Sequence, residues 1–274
     1  MENRERLPVY FIPHGGGPWP FMDSGTRFGI DPWKGLDRFL RGFAATLPRK
    51  PKAMVVVSGH WEQEPSFTVS TAARPGMLYD YYGFPPETYE LVYPAPGAPE
   101  LAHQIRSMIE TAGLEAAEDA ERGFDHGVFI PLMVAFPEAE IPVVMLSLRQ
   151  DLDPAAHVRL GQALEGLRDQ DILIIGSGMS YHNMRLFRSD EPTHVEASIR
   201  FDDWLTETVT LDAAEREHAF AHWLDNPDAR ACHVPDVDHL VPLFVVAGAA
   251  GMDKGVRIFN DRILGKPYSG YRFG

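Results

Sequence analysis

Four short, almost wholly apolar runs, at residues 9–12, 53–58, 142–148 and 172–176, constrain the fold of this chain more than any other feature. A run of this length without polar alternation belongs to a strand with hydrophobic neighbours on both faces, and such strands occur where helices cover a parallel or mixed sheet. Between and beyond the runs, residues 35–46, 98–111, 154–167, 193–208 and 239–250 carry apolar side chains near the helical period. That alternation predicts an α/β fold: a single domain over residues 1–274, its mostly parallel or mixed central sheet flanked by helices. Ligand sites in such sheets open on the rim at the carboxyl ends of the strands.

At 45% hydrophobic residues, the chain has enough apolar material for one large core. A formal charge of −14 opposes binding to nucleic acid or to an anionic membrane, so the expected partner is a small molecule. Cys232 is the single cysteine, which excludes an internal disulfide and any multi-cysteine metal site and leaves histidine and carboxylate as ligand chemistry. No window approaches the ~20 apolar residues of a membrane span, and the first residues lack the apolar core of a signal peptide. The expected location is cytoplasmic.

Five histidines stand at strand ends or in glycine-rich connections: His14, His60, His126, His182 and His239. Neutral imidazole is a common metal ligand and the side chain best suited to proton transfer near neutrality, so histidines gathered on one rim suggest a metal centre with an acid/base partner. His14, His60 and His182 each follow an expected strand closely enough to reach that rim. Each also has a plainer reading. Pro13-His14-Gly15-Gly16-Gly17-Pro18 is equally an ordinary turn, and it lacks the pattern of a phosphate loop. Glu62, after Ser58-Gly59-His60-Trp61, either orients an imidazole or is simply solvated.

Asp125-His126-Gly127 precedes an apolar segment at 128–136 that Pro131 places near its first turn if helical, a position that favours a neutral ring at His126. The alternative is a helix-capping region stabilised mainly by Asp125. Gly176-Ser177-Gly178-Met179-Ser180-Tyr181-His182 approaches a nucleophile elbow around Ser180 but has His182 where the tight turn needs glycine. Asp236 or Asp238 is the natural cap of the last helix, beside His239. His218 and His222 have helical metal-pair spacing but sit among charged residues on a solvated face; His103, His157, His194 and His233 read as surface or structural. The tyrosine-rich and proline-rich stretch 79–99 is too broken for a long element and too apolar for a linker, so it is a packed loop that either covers the core or closes over substrate.

Taken in order, His14-Gly15-Gly16-Gly17-Pro18, Ser58-Gly59-His60-Trp61-Glu62, Tyr79-Asp80-Tyr81-Tyr82-Gly83-Phe84-Pro85-Pro86, Gly123-Phe124-Asp125-His126-Gly127, Gly176-Ser177-Gly178 with His182-Asn183, and His239-Leu240-Val241-Pro242-Leu243 resemble the class III extradiol ring-cleaving dioxygenases, in particular the DOPA 4,5-dioxygenase-like branch. The resemblance implies one non-haem Fe(II), a small aromatic diol of the catechol type and O2. It assigns the metal to His14, His60 and His239, acid/base work to His182, which also comes near the ion, and a hydrogen bond to substrate or oxygen to His126. The loop 79–99 would wall the pocket. The implied site is three-histidine unless Asp238 or Glu62 adds an oxygen, and zinc suits such donors too. A zinc-dependent hydrolase on a similar scaffold and a non-catalytic metal- or ligand-binding protein are the alternatives.

Overall fold

The computed structural model describes residues 5–23 and 31–274; residues 1–4, part of the stretch that bears on a leader segment, lie outside the described residues. Eight strands form one mixed sheet: β1 (Val9–Pro13), β2 (Ala53–Gln63), β3 (Phe67–Ser70), β4 (Ala116–Asp119), β5 (Val143–Arg149), β6 (Ile172–Gly178), β7 (Gly255–Ile263) and β8 (Lys266–Phe273), in the order β4-β3-β5-β2-β6-β1-β8-β7. The four apolar runs of the sequence are the four central strands, β5, β2, β6 and β1, and every pairing among them is parallel. They are buried almost throughout, as strands covered on both faces must be.

The strands that the sequence reading missed all lie at the edges. β7 and β8 form an antiparallel hairpin, and β7 alternates buried and exposed positions instead of running continuously apolar. Its turn is the pair Leu264-Gly265, both with positive φ, which is the geometry a two-residue hairpin connection demands. β3 and β4, four residues each, are too short to give a periodic signal.

The helices are α1 (Lys34–Phe43), α2 (Pro99–Thr111), α3 (His126–Ala135), α4 (Pro154–Leu164), α5 (Pro192–Val209), α6 (Ala213–Ala221), α7 (Pro227–His233) and α8 (Val241–Ala249). Five match the expected stretches closely, the last with a 3-10 turn at Asp238–Leu240 before α8 begins. α6 and α7 were not expected; both are short, and neither carries enough apolar residues to show a period. α3 and α8 are buried nearly all round and pack on β2 and β6, while α4 lies on α8. Among the described residues, no helix is long and apolar enough to cross a membrane.

Candidate metal centre

His14 immediately follows β1, and its backbone N–H donates to Gly178 O at the end of β6 (3.2 Å). His60 lies inside β2, not after it as the sequence suggested: the ladder with β5 breaks between Val57 and Glu62, and the irregular stretch turns the His60 ring toward the rim. His239 sits in the 3-10 turn before α8, its carbonyl accepting from Met179 N–H (2.9 Å). A Cβ at Gly178 would collide with that carbonyl, so glycine here lets the His239 turn rest directly on β6.

These three elements bring three ring nitrogens together. His60 Nε2 is 3.2 Å from His14 Nε2 and 3.2 Å from His239 Nε2. Nitrogens bound to a single ion at ~2.0–2.1 Å in tetrahedral geometry would stand about 3.3 Å apart, so the spacing suits a metal. Burial, reinforced by the neighbouring imidazoles, holds all three rings well below the ordinary imidazole range, and they are neutral near pH 7.

The opposite nitrogens explain which tautomer each ring adopts. Ser177 Oγ gives its hydrogen to Gly127 O and so can only accept at His14 Nδ1, 3.1 Å away. Pro131 has no N–H to offer Gly127 O in the helical pattern, which leaves that carbonyl available to Ser177. Asp80 Oδ2 faces His60 Nδ1 at 3.5 Å, and Asp238 Oδ1 faces His239 Nδ1 at 2.9 Å, at ion-pair distance but out of hydrogen-bond alignment. An oxygen beside each Nδ1 favours the proton there and leaves each Nε2 lone pair pointing inward.

His126 is the first residue of α3, and its ring centroid lies 4.0 Å from that of His60. Asp125 does not cap α3 with its side chain; fully buried, it accepts from Ser58 Oγ (2.7 Å) and Arg122 Nη2 (3.0 Å). The cap comes from Asp80, which accepts from both the backbone and the ring of His126. Pro131 lies in the helix interior rather than its first turn. His182 is held by its backbone N–H to Cys232 O (3.0 Å), and its ring stacks on His239 with centroids 3.3 Å apart. Burial lowers its pKa from the ordinary value, opposed by Asp238, whose Oδ1 is 3.8 Å from His182 Nδ1.

All five histidines line one cavity of about 650 Å³. The loop 79–99 divides its work: Tyr81 and Tyr93 are core residues, Phe84 walls the cavity, and Asp80 orients histidines. Glu62 is exposed and lies outside both groups of candidate ligands, which are His14, His60 and His126, and His182, Asp238 and His239. His218 and His222 stay on an exposed face; His103 pairs with Glu118, His194 with Ser189, and His157 and His233 are buried and structural. Ser180, weighed as a nucleophile, accepts from the Ser269 backbone instead. Sequence reasoning missed Asp80, Ser177 and Arg122; Asp80 and Ser177 lie inside motifs already noted for their neighbours, and Arg122 immediately precedes Gly123-Phe124-Asp125-His126-Gly127.

A family model described as the catalytic LigB subunit of aromatic ring-opening dioxygenase matches residues 9–273. The chain is 36% identical over 97% of its length to the dioxygenase tasH of Hapsidospora irregularis, covering 85% of that protein. It is 35% identical over 97% of its length to a protein of Beta vulgaris named 4,5-DOPA dioxygenase extradiol, covering 96% of it. A protein of that name from Escherichia coli (strain K12) is 32% identical over 89% of this chain, with 85% of its own length covered. The crystal structure of an uncharacterized protein, JW3007, from Escherichia coli K12 superposes with a TM-score of 0.76 at 27% identity, over 98% of this chain and 100% of that one.

Proposed function

We propose that this chain, which belongs to the LigB family of aromatic ring-opening dioxygenases, opens the ring of a catechol beside its diol with O2 at a single Fe(II) held by His14, His60 and His239. The observation that carries this reading is that His60 Nε2 stands 3.2 Å from both His14 Nε2 and His239 Nε2, all three on neutral rings whose Nδ1 faces an oxygen. When bound, the ion supplies a Lewis-acid seat for the diol oxygens and the redox capacity that O2 chemistry needs. Relatives named 4,5-DOPA dioxygenase extradiol support a catechol substrate.

The chain's own residues do the rest. His182, stacked on His239, exchanges a proton with a diol hydroxyl, and the nearby Asp238 carboxyl favours the charged ring that results. His126, with Nδ1–H committed to Asp80, turns Nε2 to the cavity as a second proton partner for substrate. The apolar walls exclude water and hold the ring plane against the histidines. The reading includes a cytoplasmic location.

The test is a catechol panel followed by oxygen uptake and product absorbance after anaerobic Fe(II) loading, with metal content measured in parallel. Ring opening dependent on iron is the expected result. Zinc at full occupancy with ester or amide turnover, or metal without any turnover, would overturn it.

A further inference from the structure

We infer that Arg122 and Asp125 are positioning residues for the metal centre: with Ser58 they fix the backbone of His60 where the sheet leaves it unsupported, and so set the affinity of the site for its ion. The inference rests on the three-histidine part of the reading above and not on the catechol. His60 is the shared vertex of the cluster, since its Nε2 stands 3.2 Å from that of His14 and 3.2 Å from that of His239. Such a ligand set has to be held within about 0.5 Å of its productive geometry. β2 does not supply that support. Its pairing with β6 ends at Ser58, and its pairing with β5 is interrupted between Val57 and Glu62, so Gly59, His60 and Trp61 have no cross-strand partner in either ladder. Backbone groups withdrawn from water need partners all the same. For His60 both come from side chains: its N–H donates to Ser58 Oγ (3.2 Å), and its carbonyl accepts from Arg122 Nη2 (3.2 Å).

The two side chains are joined to each other. Ser58 Oγ–H donates to Asp125 Oδ1 at 2.7 Å, and Arg122 Nη2 donates to Asp125 Oδ2 at 3.0 Å. Nη2 carries two hydrogens, so one nitrogen serves the carboxylate and the His60 carbonyl together. The hydrogen bonds therefore run in a closed circuit that begins and ends on the backbone of His60. Each member is itself held. Ser58 and Asp125 are fully buried, and Asp119 Oδ1 accepts from the backbone N–H groups of Glu121 and Arg122. The guanidinium carbon lies 4.7 Å from the centre of the Trp61 ring, on the residue that follows His60. A buried ion pair is weak evidence of a stabilising role, because desolvation opposes the attraction. What singles this one out is where its bonds end, on the histidine that stands beside both other ligands.

The probe is Co(II), whose visible absorption reports ligand geometry, competed against a chelator on the full chain well below its melting temperature. Arg122→Gln removes the charge and the bridging nitrogen, and Ser58→Ala opens the other side of the circuit with the ion pair intact. Both should bind Co(II) about 10–100-fold more weakly than the parent, with a shifted spectrum at saturation. Arg122→Lys keeps a cation for Asp125 and donors for the His60 carbonyl, and should recover part of the affinity. Arg257→Gln controls for the loss of a buried ion pair as such: its partner Asp202 is also buried, and the pair ties β7 to α5. It should lower the melting temperature and leave the Co(II) affinity and spectrum unchanged. Parental affinity in folded Arg122→Gln or in Ser58→Ala, or an equal loss in Arg257→Gln, would overturn the inference; if Arg122→Gln does not fold, Ser58→Ala decides alone. His60→Ala separates the inference from the reading beneath it. A parent that holds no stoichiometric Co(II), or a His60→Ala variant that binds it as the parent does, overturns the metal assignment and the positioning role together. Loss in His60→Ala with parental binding in the two circuit variants overturns the positioning role alone.

Discussion

Asp80 Oδ1 accepts twice from one residue, from the backbone N–H of His126 at 3.0 Å and from its ring Nδ1–H at 2.7 Å. A single oxygen therefore caps α3 and sets the orientation of the ring that opens it. Burial opposes ionisation of Asp80, but the hydrogen bonds and charge of His126, with His60 beside it, prevail and lower its pKa to about 2. Asp80→Asn retains the acceptor without the charge, whereas Asp80→Ala removes both and the cap with them. Asp80→Ala should lower kcat by about 10²-fold and cost about 1 kcal/mol of stability. Asp80→Asn should recover most of the stability and part of the rate. Equal kcat in the two variants, measured beside their melting temperatures, would show that Asp80 acts only as a cap.

This contact also shows where sequence reading stops. Asp80 lies 46 residues before His126, within a loop whose aromatics dominate its pattern, so nothing local marks it as the partner of that histidine. Ser177 was passed over for Ser180 because a nucleophile search looks at turns, while Ser177 is still inside β6 and acts by accepting from a ring. The four central strands were legible because burial on both faces writes itself into an unbroken apolar run, and His14 and His182 were legible because they follow such runs. His60 was placed one step wrong, after its strand, because β-bulges leave no signature in hydrophobicity.

His14→Ala, His60→Ala and His239→Ala should each lose stoichiometric metal, since two remaining imidazoles are too few donors to hold the ion. The fold should survive, because each ring points into the cavity rather than into the core packing of α3 or α8. Metal analysis after gel filtration, with circular dichroism on the same samples, reads both. Full occupancy in any variant removes that residue from the ligand set.

Ser177→Ala should give an intermediate result. It strips His14 Nδ1–H of its acceptor and leaves Gly127 O without the Ser177 hydroxyl, so the ring loses its fixed tautomer and orientation while keeping its nitrogen. Metal affinity should fall about 10–100-fold, the range for lost partners of ligating histidines. Competition against a chelator measures it, and an affinity within twofold of the parent would refute the role.

His157 offers a pH test away from the site. Its Nδ1–H donates to Asp153 O (2.7 Å) and its Nε2 accepts from Arg149 N–H (3.1 Å), so the native ring must be neutral; burial lowers its pKa from 6.5 to about 4. The unfolded chain takes up a proton below 6.5 and the native state only near 4. Stability from this group is thus complete above 6.5, falls by roughly 3 kcal/mol as pH drops to 4, and is constant below. His157→Gln should be less stable than the parent at pH 7, and the gap in urea midpoints should narrow toward pH 4. A gap that stays constant would mean the native ring is not held neutral.

His182 lies on the cavity wall with its ring 12° from parallel to that of His239, so phenylalanine at this position can keep the stack while losing both nitrogens. If His182 moves the catechol proton, His182→Phe should retain its metal and lose turnover by ~10²–10⁴-fold, with the loss in kcat rather than in catechol affinity. Asp238 sharpens the expectation: its Oδ1, 3.8 Å from His182 Nδ1, would favour a charged His182 ring, and that benefit exists only if the ring accepts a proton. A variant that loses its metal instead would make His182 a ligand and pass the proton to His126, which lines the same cavity and whose Nδ1–H is already committed to Asp80. A variant with parental turnover would remove the proton role from His182 and, with it, the acid/base half of the proposed reaction.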